Sequence, residues 1–174
     1  MNRLTTLTAG LLFASSALTA TPALAHDYTK GDLKIDHPWS RPTPPGTPMG
    51  VGYMSISNTG GSDIVLVGAR TPRAERVSIH ESSMQDGVMR MAPVKGGLDI
   101  PAGETVELKP HSFHLMLENL GSPLRENEAI PLTLNFEGAE DMKVELTVAP
   151  LDGQTMMNTQ NMDHSGQGMD HSDD

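Results

Sequence analysis

The stretch HESSMQDGVMRM, residues 80–91, defines two strands and the face they share. Asp86-Gly87 is a strong signal for a two-residue hairpin turn, whose central positions need positive φ. With that turn, Gln85 faces Val88, Met84 faces Met89, Ser82 faces Met91 and His80 faces Pro93. Directly opposed side chains share a side of the hairpin, so His80, Met84, Met89 and Met91 project together. Val77 and Ile79 have the opposite parity. A slip of one residue would reverse the faces. Met91 is the methionine diagonal to His80 and its expected partner, with Met89 in reserve and Met84 nearer the turn.

A second stretch, FHLML at residues 113–117, reads as a strand. Side chains alternate along it, so Phe113, Leu115 and Leu117 take the core face, and His114 and Met116 share the face away from the core. A lone histidine in a strand is usually a solvated or hydrogen-bonded residue. A histidine and a methionine together on the outward side of an apolar strand are harder to explain as packing.

Outward from these two stretches, short strands and turn signals continue with almost no helical periodicity. Strands are expected over 32–35, 51–57, 64–69, 76–80, 88–92, 105–109, 112–117, 130–136 and 143–148. Pro42-Thr43-Pro44-Pro45-Gly46, Asn58-Thr59-Gly60-Gly61 and Pro101-Ala102-Gly103 punctuate them. This spacing predicts an all-β sandwich or barrel. Tyr53, Ile56, Val106, Leu108, Leu132, Leu134, Phe136, Val144, Leu146 and Val148 are the expected core positions. His37-Pro38-Trp39 reads as a structural corner with Trp39 at the sandwich edge, and Met49 and Met54 as packing or loop residues.

Residues 1–25 read as a secretory signal peptide, with Arg3 at the start, a short apolar stretch from Leu11 to Ala20, and Ala23-Leu24-Ala25 as the cleavage site. The apolar run is too short for stable membrane insertion. No Cys follows it, so a lipid anchor on an N-terminal Cys is not expected. The mature domain is expected over 26–150, in the periplasm. His26, as the new N-terminus, could chelate Cu(II) through its α-amine and imidazole. Losing residues 1–25 removes one base and no acid, so 11 basic against 22 acidic side chains leave a formal charge of −11. Such a chain is a poor nucleic-acid binder and attracts cations.

The whole chain contains no cysteine. Disulfides, thiol redox chemistry and a blue-copper electron-transfer centre, which needs a Cys sulfur, are thereby excluded. Of the 12 methionines, seven fall at 84, 89, 91, 156, 157, 162 and 169, outside apolar runs where core-filling methionine normally sits. Residues 151–174 hold no Lys or Arg, five Asp, four Met and two His. This composition cannot support a core and predicts a disordered tail. Met162-Asp163-His164-Ser165 recurs there as Met169-Asp170-His171-Ser172, a metal-collecting pattern. The expected tail ligands are Met156, Met157, Met162, His164, Met169 and His171, taking Cu(II) as well as Cu(I). A merely solvating acidic tail is the bland reading of the same residues.

Two imidazoles and two thioethers, His80, Met91, His114 and Met116, suit a soft ion such as Cu(I) and not Mg²⁺ or Ca²⁺. The spacing His80-x10-Met91-x22-His114-x-Met116 resembles the signature of the periplasmic PCu(A)C-type copper chaperones. The resemblance extends through Gly31-Asp32-Leu33-Lys34-Ile35, His37-Pro38-Trp39-Ser40-Arg41, Asn58-Thr59-Gly60, Pro101-Ala102-Gly103-Glu104 and Leu108-Lys109-Pro110, nearly all of 28–149. It implies a cupredoxin-like β-sandwich of Greek-key type, with Cu(I) held by those four residues at an exposed site. It also implies copper delivery toward the CuA centre of cytochrome c oxidase, and a His/Met-rich C-terminal extension occurs in some relatives. The family usually has a Gly-Gly-like turn before the His-x-Met, where this chain has His111-Ser112-Phe113; His111 reads as a loop residue and a minor auxiliary ligand.

The expected role is therefore a carrier of copper and not an enzyme. A thiol-bearing assembly protein or the CuA-bearing oxidase subunit is the expected partner, reached by a monomer that a bridging metal could pair into a dimer. An electron carrier is disfavoured by the missing cysteine. Copper storage, scavenging or resistance in the periplasm would use the same ligands and is the alternative.

Overall fold

The structure, a computed structural model, describes residues 27–150. The leader expected over 1–25, His26, and the tail with Met156, Met157, Met162, His164, Met169 and His171 lie outside the described residues. Eleven strands follow one another: β1 (Tyr28–Lys30), β2 (Leu33–Ser40), β3 (Met49–Asn58), β4 (Ile64–Arg70), β5 (Ala74–Gln85), β6 (Val88–Pro93), β7 (Leu98–Ile100), β8 (Thr105–Leu108), β9 (Phe113–Leu120), β10 (Ala129–Glu137) and β11 (Met142–Val148).

Hydrogen bonding runs β2-β11-β10-β4-β5-β9-β3, and β3 pairs again with β2, so these strands close on themselves. The parallel β11–β2 pair, Thr147 against Trp39 and Val148 against Ser40, completes the ring. The remaining strands hang from it: β1 on β2, β8 on β3, β7 on β4 and β6 on β5. This is an all-β architecture, as the strand pattern and turn spacing predicted, and of the cupredoxin-like kind that the resemblance implied.

Alternation builds the interior. β11 reads buried–exposed at every step, with Met142, Val144, Leu146 and Val148 inward, and in β10 Ile130, Leu132, Leu134 and Phe136 face them. In β9 Leu115 and Leu117 join the same core. Closing the sheet removes most of its free edges, which otherwise invite pairing with other chains. Asn58 ties one turn to it: its side-chain amide donates to the carbonyls of Ser62 (2.8 Å) and Ile100 (3.1 Å), and its Oδ1 accepts from Gly60 N.

Several expectations change. β5 runs to Gln85 because its outer half, His80 to Gln85, pairs with β6, and β9 runs to Leu120 because Leu120 pairs with Ala74 of β5. β1 and β7 were not expected. The chain passes through His37-Pro38-Trp39 as a bulge within β2 and not a corner, with His37 at φ 47° and the β2–β3 register shifting between Asp36 and Trp39. Trp39 then stacks on Tyr53 at 4.6 Å. Tyr53 is buried, but Met54 is the β3 side chain that joins the core at this level, because the inward parity of β3 is even. Met49 is exposed.

Candidate metal centre

The hairpin adopts the register dictated by its turn. Gln85 opposes Val88, Met84 opposes Met89, Ser82 opposes Met91 and His80 opposes Pro93. Asp86 and Gly87 have φ of 52° and 76°, both left-handed as a type I′ turn requires. Across the other edge of β5, His80 opposes His114 and Ser78 opposes Met116. β5 is thus the middle of three strands, and one face presents Ser82/Met91, His80/His114 and Ser78/Met116 on successive rungs. Met84 and Met89 continue that face toward the turn. His111 stands exposed in the turn before β9 at φ 65°, outside the strand whose parity governs His114 and Met116.

The two imidazoles lie with ring centroids 6.0 Å apart, inclined by 46°. His114 Nδ1 is 3.0 Å from the Ser112 carbonyl oxygen. A carbonyl oxygen only accepts, so Nδ1–H donates, and the neutral ring keeps its lone pair on Nε2. That Nε2 is buried and has no hydrogen-bond partner, and neither has the buried His80 Nδ1. Only one other described side-chain polar atom, Arg41 Nε, shares this condition. Buried polar atoms are nearly always satisfied, so two orphans on facing histidines ask for a third partner. Rings at this spacing accommodate one ion bonded to both at about 2 Å.

Burial pushes the His80 imidazole below its ordinary pKa, and the neighbouring His114 acts in the same direction. Both effects keep the ring in the neutral form that can donate a lone pair. Below the histidines, Glu118 receives hydrogen bonds from Arg76 and from Ser78 Oγ at 2.6 Å, and the Arg76 bond, followed by that of Ser78, holds its carboxyl below the usual range. Glu118, Ser78 and Arg76 were missed from sequence. The signal was the parity already used, since Glu118 continues the series from His114 and Met116, and Ser78 continues that from His80.

Exposure is where the expectation fails. His114 is 3% and Met116 8% exposed. Met116 is buried but stands outside the main packed cluster that Leu115 and Leu117 join, in keeping with its parity; β9 lies between β5 and β3, and Val51 of β3 flanks Met116. Neighbouring strands cover the outward face. Met91 is 54% exposed because, among the described strands, β6 pairs with β5 alone. Among the described residues no three His, Cys, Asp or Glu side chains could hold a metal together. The two histidines are accompanied on this face by the methionines of β6 and β9.

A family model described as lipoprotein LpqE-like matches residues 33–148. A protein of Leifsonia xyli subsp. xyli named as a lipoprotein, Lxx21020, is 30% identical over 153 residues, 87% of this chain and 91% of its own. The copper-bound PCuAC domain from PmoF2 is similar at 25% identity and a TM-score of 0.61, covering 72% of this chain and 99% of that one. The solution structure of CuI-DR1885 from Deinococcus radiodurans is similar at 31% identity and a TM-score of 0.50, covering 64% and 74%.

Proposed function

The chain belongs to the LpqE-like family, which is the PCuAC family of those solved domains, and on that premise we propose that it is an exported copper chaperone holding Cu(I) between His80, Met91, His114 and Met116. The observation that carries this reading is the pair of buried, unpartnered ring nitrogens on directly opposed histidines. Copper-bound relatives of the same fold support the choice of metal. Neutral thioethers and imidazoles favour Cu(I) over Cu(II) or Zn²⁺. They also leave the ion its positive charge, so an incoming thiolate is attracted.

Release runs from the open side. A partner's Cys sulfur displaces exposed Met91 first, and the buried residues of β9 let go afterwards. The acceptor in this reading is the CuA centre of cytochrome c oxidase or a thiol-bearing assembly protein serving it. The tail, through His164, His171 and the neighbouring Asp and Met residues, raises the local copper concentration by tethering a second binder to the domain. The repeat in the tail also favours a second reading, copper storage or resistance. In that case removing 151–174 lowers the copper capacity and leaves oxidase assembly intact.

The test is anaerobic Cu(I) titration of the full-length protein and of His114→Ala/Met116→Ala. The double variant is expected to lose the tightest site while keeping the tail's copper. Unchanged Cu(I) affinity would overturn the assignment.

A further inference from the structure

The hairpin carries four of the six exposed large hydrophobic side chains among the described residues: Met84 (63%), Val88 (58%), Met89 (43%) and Met91 (54%). Three of them are methionines on one face. Nothing requires an outward position on an exposed edge strand to be apolar, and an exposed apolar cluster of this kind marks a binding function. The proposed four-residue site uses Met91 and leaves Met84 and Met89 unexplained.

Those two residues are directly opposed. Val94 N donates to Ile79 O at 2.9 Å, which identifies the odd-numbered residues of β5 as the hydrogen-bonded pairs with the returning strand. Met84 and Met89 therefore form a non-hydrogen-bonded pair, where side chains approach most closely, with Cβ atoms about 5 Å apart. Each thioether has three flexible torsions, so both sulfurs can converge on one soft ion. Arg90, the one cation in residues 80–91, opposes Ser83 on the other face of the hairpin. No positive charge of the hairpin stands beside the pair.

Met84 is four residues from His80, about 13 Å along an extended strand, too far to share one ion with the histidines. Met91 stands on the rung between them. Resting on the reading of the chain as a Cu(I) carrier, we propose that Met84 and Met89 form a second, two-thioether Cu(I) site at the outer end of the hairpin, from which the ion passes by way of Met91 to the histidines. The transfer is ligand exchange alone: a Cu–S bond to Met91 forms as one to Met84 or Met89 breaks, Cu–N bonds to the neutral imidazoles then form as the remaining Met84 or Met89 sulfur lets go, copper stays Cu(I), and no proton leaves a ligand.

The test uses full-length protein with ¹³C-labelled methionine methyl groups, titrated anaerobically with Cu(I). The first equivalent is expected to shift Met91 and Met116, and further copper to shift Met84 and Met89. Met84→Leu/Met89→Leu keeps the apolar volume and removes the sulfurs; it is expected to lower capacity by one equivalent and to leave the first intact. If Met84 and Met89 stay unmoved while the tail methionines take all further copper, the second site does not exist. An unmoved Met91 and Met116 beside a shifted Met84 and Met89 would instead sink the primary site and leave this one standing.

Discussion

β6 and β9 flank the same strand and present ligand-type side chains to the same face, yet their surroundings are opposite. Every residue of β6 is exposed, whereas four consecutive residues of β9, His114 to Leu117, are buried. The difference lies in what stands beyond each strand: β3 pairs with the far edge of β9, and no described strand pairs with the outer edge of β6. One half of the candidate site is held by the body of the protein, and the other is presented at its rim. A carrier needs both, since a fully buried ion could not be reached and a fully exposed one would be held by mobile ligands.

The largest effect is expected from the scaffold beneath the buried half. Leu115 is fully buried, opposite Ile79 and beside Gly52. Leu115→Ala should cost about 2–5 kcal/mol of stability. The corresponding truncation on the rim, Met91→Ala, should stay within about 0.5 kcal/mol. Urea unfolding of the two variants reads this directly, and similar costs would erase the distinction between the strands.

Next comes His114 itself. Its Nδ1 is fixed on Ser112, so Nε2 is aimed before any ion arrives. His114→Ala should lower Cu(I) affinity by about 100-fold, or ~2.7 kcal/mol, in competition with a Cu(I) chelator. Met91→Leu, on the rim, should lower it only about tenfold, ~1.4 kcal/mol, and mainly by speeding dissociation. A larger loss at Met91 than at His114 would reverse the roles given to the two strands.

The same contrast explains what could be read in the sequence. The register of the β6 half was legible because Asp86-Gly87 is local chemistry, and a local turn sets the pairing of every residue between His80 and Pro93. Parity alone placed His114 and Met116 on the correct face of β9. Their burial was not legible, because it depends on β3 and β5, whose facing residues Val51 and Ser78 are remote in sequence. Tyr53 misled for a related reason: β3 is covered on both faces there, so Tyr53 and Met54 are both buried and hydrophobicity does not reveal which one faces the core. β1 and β7, at three residues each, are too short to show any period.

The smallest effect probes the rim alone. Gly87 has φ of 76°, and a Cβ added to it would meet nothing within 4 Å. Gly87→Ala therefore carries no clash, only the cost of a left-handed L-residue, about 1 kcal/mol. Because the turn is remote from the core, that cost should fall on hairpin closure and not on global unfolding. Amide exchange is expected to quicken along β6 and to stay unchanged along β9, with Cu(I) leaving faster as Met91 loses its fixed register. Equal quickening in both strands would mean that β6 and β9 open as one unit, and the rim could not then release the ion ahead of the buried residues.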